Sequence, residues 1–216
     1  MFQFKSNVFV LAAATLLAAV VAVPEPYDQE FHGDATYYGE TPNGAGNCAI
    51  RDPLPAMYDG MIPMALNNAQ YNSVIHGDSY MCGACVEGYG TGSGSGHNPV
   101  SGPFKGYITD RCPECAFGDL DFAADGDGRW DITWRFVPCE GGGDPTFIFE
   151  GSNPHYWKIQ PRGGKSPVKK VWVNGVKATR TQDNFFVIEN GPYYGEQLVK
   201  TKTLLQKRKK QMVSAP

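Results

Sequence analysis

The feature that most constrains this chain is the placement of its six cysteines, all between Cys48 and Cys139, with none in the last third. What they can do depends on compartment, and the start of the chain speaks to that. Lys5 supplies a positive charge, Val8 to Val21 is an apolar run broken only by Thr15, and small residues close it before Val23-Pro24. This run is short for a bilayer-spanning helix and has the layout of a cleavable signal peptide over residues 1–22. The chain is therefore expected to be secreted and extracellular. An even cysteine count in an exported chain predicts three disulfides, and sequence alone leaves 15 connectivities open. Cys82/Cys85 and Cys112/Cys115 also have the spacing of zinc ligands, but the nearby histidines are His76 and His97 and export favours oxidation. No metal and no cofactor is expected.

Charge divides the chain at the same place as cysteine usage. From Pro24 to Gly143 there are 5 Lys/Arg against 17 Asp/Glu; from Asp144 onward there are 13 against 5. One homogeneous domain would not be split in this way. Glu140-Gly-Gly-Gly-Asp144 reads as a short flexible linker by composition. The expected organisation is a leader at 1–22, an acidic domain at 23–140, a linker at 141–144, a basic domain at 145–205 and a solvated basic tail at 206–216. An exported protein with an acidic first domain is a poor partner for nucleic acid, and no later segment is apolar enough to enter a membrane. A monomer is expected.

Both halves read as β-structure. In Trp130-Asp-Ile-Thr-Trp-Arg-Phe136 the apolar residues fall on one face of a strand and Asp131, Thr133 and Arg135 on the other. A second strand is expected over Phe104–Thr109. Gly90 to Gly96 is so poor in apolar residues that it reads as a loop, and Ile62–Tyr71 is the best helical candidate. A small closed barrel stapled by disulfides fits this half. In the basic half, strands are expected over Thr146–Phe149, Tyr156–Gln160, Val168–Val173 and Asn184–Ile188, separated by turn signals. Asn174-Gly175 is a strong two-residue hairpin signal, and strands at this spacing predict a β-sandwich. The fold class is all-β.

Two aspartates have the chemistry to handle sugars. Asp110 ends a predicted strand and Asp121 follows the Cys112/Cys115 pair; a bridge between those cysteines would close a tight loop and bring the two carboxyl groups together. Clustered carboxylates in a groove suit glycosidic chemistry, since one can give a proton to the bridging oxygen. Surface turn aspartates are the plainer alternative from spacing alone. Asp125-Gly-Asp-Gly128 looks like part of a calcium loop but lacks the later ligands, so it reads as a turn.

Five motifs occur in order: Ala35-Thr-Tyr-Tyr-Gly39, Cys82-Gly-Ala-Cys85, Ile108-Thr-Asp-Arg-Cys-Pro-Glu-Cys115, Gly118-Asp-Leu-Asp121 and Trp134-Arg-Phe-Val-Pro-Cys139. Together, over roughly Phe31 to Ile188, they resemble the expansin family, and its microbial branch more than its plant forms. The resemblance implies a six-stranded double-psi β-barrel, related to glycoside hydrolase family 45, followed by an immunoglobulin-like carbohydrate-binding β-sandwich. It implies that Asp121 matches the family's essential carboxylic acid and that Thr36, Tyr38 and Asp110 line the same polysaccharide groove. It also implies the pairs Cys48–Cys82, Cys85–Cys139 and Cys112–Cys115.

Resemblance bears on mechanism as well. Related hydrolases carry an aspartate where this chain has Gly39, and Glu40 is one position away. With the acid present and the base missing, the expectation is a non-lytic protein that loosens plant-type walls by disrupting glucan–glucan contacts. An endoglucanase and a barwin-like extracellular binding or signalling protein are the alternatives. Expected partners are wall polysaccharides: cellulose, xyloglucan or another glucan, with pectin drawn to the basic half. In that half, strand alternation exposes Tyr156 and Trp172 and turns Trp157 inward. The residue before Asn184, where the family carries a ring, is Asp183 here; Phe185 would complete an aromatic platform in its place, with a core position as the alternative.

Overall fold

The computed structural model describes residues 18–22, 27, 29–40, 46–71 and 81–189. His76, the end of the expected sandwich and the expected basic tail lie outside them. No helix among the described residues is long and apolar enough to cross a membrane. The first strand, β1 (Ala18–Ala22), pairs outside the barrel. Six strands then form the acidic half: β2 (Glu30–Tyr37), β3 (Ile62–Asn67), β4 (Cys85–Ser95), β5 (Ser101–Cys112), β6 (Leu120–Phe122) and β7 (Arg129–Val137). They close in the order β2-β6-β3-β5-β4-β7. Two pairings are parallel, β2 with β6 and β3 with β5, and the other barrel neighbours are antiparallel.

Alternation in β7 sorts its side chains as expected. Trp130, Ile132, Trp134 and Phe136 are all buried, while Asp131 and Arg135 are exposed. Trp134 packs on Phe31 and Phe136 and donates its ring N–H to Gly118 O at 2.7 Å, so one residue both fills the core and holds the turn before β6.

Two readings of this half need correction. Ile62–Tyr71 is helical only from Asn68 to Tyr71, and its first six residues are β3. A parallel neighbour on one side and an antiparallel one on the other outweigh local propensity there. Gly90–Gly96 is not a loose loop, because β4 runs through it with a bulge between Gly90 and Gly94. Its glycines are used for close approach: a Cβ on Gly90 would lie 2.3 Å from Val100 O.

In the basic half, β8 (Thr146–Phe149), β9 (Tyr156–Arg162), β10 (Val168–Val173), β11 (Val176–Lys177), β12 (Thr179–Arg180) and β13 (Phe186–Glu189) make two sheets. One has the order β12-β13-β9-β8 and the other β1-β10-β11. Asn174 and Gly175 turn β10 into β11 with positive φ, 49° and 80°, as a two-residue hairpin requires. Trp157, Ile159, Val171, Val173, Phe186 and Ile188 form the core between the sheets. The backbone of β1, the last part of the expected leader, runs antiparallel to β10 from Ala18 opposite Val173 to Ala22 opposite Val168.

Three disulfides join Cys48–Cys82, Cys85–Cys139 and Cys112–Cys115, the pairs that the resemblance implies. Cys85–Cys139 spans 54 residues, a loop whose closure removes about 4 kcal/mol of unfolded-chain entropy in the simplest model.

The halves meet through buried polar contacts. Gln160 and Asn184 both donate to Cys48 O, and Arg162 donates to Ala49 O and Arg51 O. The glycines expected to form a loose linker are tied down as well: Gly143 N–H bonds Gly163 O at 2.8 Å, and a Cβ on Gly142 would lie 2.9 Å from Lys165.

Candidate functional site

Register alone assembles the site. In the barrel, Thr36 of β2 stands opposite Asp121 of β6, Asp121 opposite Ala65 of β3, and Ala65 opposite Asp110 of β5. These four residues form one row across four strands. Neighbouring strands lie about 4.8 Å apart, so the aspartates on either side of Ala65 have Cα atoms roughly 10 Å apart. Ala65 adds no bulk between them. Thr36 Oγ1 donates to Asp121 Oδ1 at 2.6 Å, which puts both side chains on the same side of the sheet.

Asp121 is the electrostatically unusual group. Burial pushes its carboxyl above the usual range, and the nearby charges of Glu114 and Asp110 push the same way. The Thr36 hydrogen bond and the Arg129 charge oppose the shift without cancelling it. The Cys112–Cys115 disulfide lies alongside, with its sulfurs within 4.8 Å of an Asp121 carboxylate oxygen. Bonded to each other, those sulfurs present no thiolate, so the cluster lacks the donor set of a metal centre. The bridge sits beside the acid as an apolar neighbour.

Asp110 has a different task. Its Oδ1 accepts Asn47 N–H at 2.7 Å and Arg111 N–H at 2.8 Å, and so fastens the segment entering Cys48 to the end of β5. Asp119, two residues before the acid, is buried. It accepts N–H groups from Asp34 and Ala116 and an Arg129 guanidinium N–H at 3.2 Å. Sequence reasoning did not give Asp119 and Arg129 their parts in this network. Only the alternation Asp119-Leu-Asp121 hinted at it, since two residues on one strand face share an environment.

The remaining expected residues are placed as follows. Tyr38 ends the strand through its N–H bond to Phe122 O at 3.1 Å and is half-buried two residues beyond Thr36. Gly39 turns the chain with φ +84°, and Glu40 beyond it is exposed. Tyr156 is half-buried on the β9 face that meets the barrel at Gln160. Trp172 lies on β10, in the other sheet, on the face away from the buried Val171 and Val173. Phe185 is 2% exposed, with the Lys158 ammonium 4.5 Å above its ring. Of the three residues expected in the platform, Phe185 is buried, and Tyr156 and Trp172 belong to different sheets. Asp183 accepts a hydrogen bond from Lys158 Nζ at 2.8 Å. The Asp125–Gly128 segment is a turn in which Asp127 accepts from His97 N–H at 2.7 Å and meets its ring Nδ1.

Comparison with solved structures decides the fold. The crystal structure of an expansin from Clavibacter michiganensis superposes with a TM-score of 0.56 at 20% identity, covering 76% of this chain and 80% of that one. This is an expansin fold. A mutant of the same expansin, crystallised in complex with cellohexaose, matches equally well, with a TM-score of 0.56 at 21% identity and the same coverage. No family profile and no curated protein matches the chain. The expansin fold explains why the six barrel strands and the two-sheet half occur together, and at this identity it establishes architecture alone.

Proposed function

We propose that this chain is a secreted polysaccharide-binding protein that loosens plant-type cell walls without cutting them. The observation that carries the reading is the Thr36–Asp121–Ala65–Asp110 row, with a carboxyl group held above its usual pKa at its centre. A raised carboxyl holds its proton to higher pH than a free aspartate does, and in that form can donate to a sugar hydroxyl or bridging oxygen. Cutting by inversion needs more: a second carboxylate roughly 6.5–9.5 Å away, free to activate water on the opposite side of the sugar. Asp110 is engaged with two backbone N–H groups, and Glu40 is exposed beyond the Gly39 turn. A groove of this kind grips a glucan chain, competes with chain–chain contacts and lets load-bearing junctions slip. The cellohexaose bound to the structurally similar expansin supports a glucan as ligand.

The test is mechanical and chemical at once. Purified protein is expected to extend cellulose paper or heat-killed wall strips under constant load while releasing no reducing sugar. Steady sugar release that disappears in Glu40→Gln would replace this reading with an endoglucanase.

A further inference from the structure

The wall of the barrel away from the Asp121 row carries a second surface suited to a carbohydrate. On the outer face of β5, β4, β7 and β2, register places Lys105, Glu87, Arg135 and Glu30 in one row, and Pro103, Tyr89, Thr133 and His32 in the next. A cleft of about 600 Å³ opens over these rows, with Phe104 and Trp134 among its lining. Tyr89 stands in it 56% exposed, one of the few large apolar side chains so open among the described residues.

From this arrangement we infer that the cleft is a second binding site for an uncharged glycan, with Tyr89 as its stacking ring. The inference rests on the reading of the chain as a polysaccharide binder and adds a site to it. The charges favour an uncharged ligand. The charges of the Lys105–Glu87–Arg135–Glu30 row balance, and Arg135 reaches Glu87 Oε1 through Nε at 3.0 Å and Nη2 at 2.6 Å. Lys105 is bonded to Glu140 at 3.0 Å. Both cations of the row are therefore already paired, and Glu30, 3.5 Å from His32 Nε2, adds a carboxylate beyond them, so a polyanion would find no open cation here. Sugar hydroxyls instead use the lone pairs and N–H groups that each pair leaves over, without breaking the pair. The ring supplies a flat apolar face of the size of one pyranose, and Thr133, directly across from it, offers a hydroxyl already bonded to His32 Nδ1 at 3.1 Å. The volume falls in the range of small-ligand sites and admits a few sugar units.

Amide and ring NMR shifts of the full chain, titrated with cellohexaose, test this. Two separate sets of shifts are expected: one at Gly88–Gly90, Thr133 and the Tyr89 ring, the other around Thr36 and Asp121. Tyr89→Ala, a change at an exposed side chain, is expected to weaken the first site by about tenfold and leave the second untouched. Asp121→Asn is expected to do the reverse. Shifts confined to the Asp121 row, or a Tyr89 set that survives Tyr89→Ala, overturn the second site while leaving the first reading intact. Shifts confined to the Tyr89 cleft support the second site and overturn the groove. No shifts at millimolar sugar overturn both. A stronger response of the cleft to oligogalacturonate than to cellohexaose overturns the uncharged assignment.

Discussion

At Asp121 one carboxyl group ties the proposed activity to stability. Its pKa is raised in the fold, so the native state holds this proton more tightly than the unfolded chain does. Stability from this group is therefore present at low pH and is lost as pH rises from the ordinary aspartate value through the raised one. Asp121→Asn is expected to abolish wall loosening while leaving the neutral-pH melting temperature equal to or above that of the parent, as calorimetry would show. Loosening is expected to grow as pH falls through the Asp121 titration. Thr36→Val removes the hydrogen bond that holds this pKa down, so the titration and the activity profile are both expected to move to higher pH. Carbon-13 titration of the aspartate carboxyls checks the first shift and load-extension assays the second. Trp134→Phe keeps most of the ring but strips Gly118 O of its donor, and is expected to cost about 1–3 kcal/mol in denaturant unfolding.

Among the elements, the contact between β9 and the 47–51 segment links the two halves to the site. Arg162 is a buried cation that donates to the carbonyls of Ala49 and Arg51 and to Gln160 Oε1, and burial holds its pKa below the usual guanidinium value. Arg162→Met relieves that buried charge but takes a donor from three acceptors, Ala49 O, Arg51 O and Gln160 Oε1. The expected net loss is about 2 kcal/mol, with hydrogen exchange quickening at Cys48–Arg51 before it does in β7. Sequence showed the elements better than their junctions. The strands β7, β8, β9 and β10 were legible because side-chain alternation or a turn dipeptide marked them. The strand in Gly90–Gly96 was not, because its pairing depends on backbone approach where side chains are missing, and apolar periodicity is blind to that. Asp121 stood out by its position after the Cys112/Cys115 pair and gained its role from motif resemblance, and Thr36 came from resemblance alone. The role of Ala65 between the two aspartates emerged only from register across non-consecutive strands. Phe185 stayed open between platform and core, because an aromatic beside a polar Asn184 gives no sign of whether a lysine will cover it.

At the scale of the whole molecule, opposite charge on the two halves is expected to distinguish acidic from uncharged wall polymers. Lys165, Lys169, Lys170 and Lys177 place positive charge on the described part of the basic half, while the barrel carries the acids. Retention on a pectin-bearing wall is expected to fall several-fold between about 20 and 200 mM salt, as Debye screening tightens, while retention on pure cellulose stays level. Equal salt response on both supports would remove the electrostatic part of the proposal. The Cys85–Cys139 bridge has a further consequence for life among extracellular proteases. The hairpin tip at Gly96, His97 and Asn98 is exposed, and a peptidase that nicks it would divide the barrel between β4 and β5. The severed pieces stay coupled, because one half-cystine belongs to each fragment. A nicked molecule should run as a single band on a gel until thiol is added and as two bands afterwards, with its grip on glucan largely intact in between.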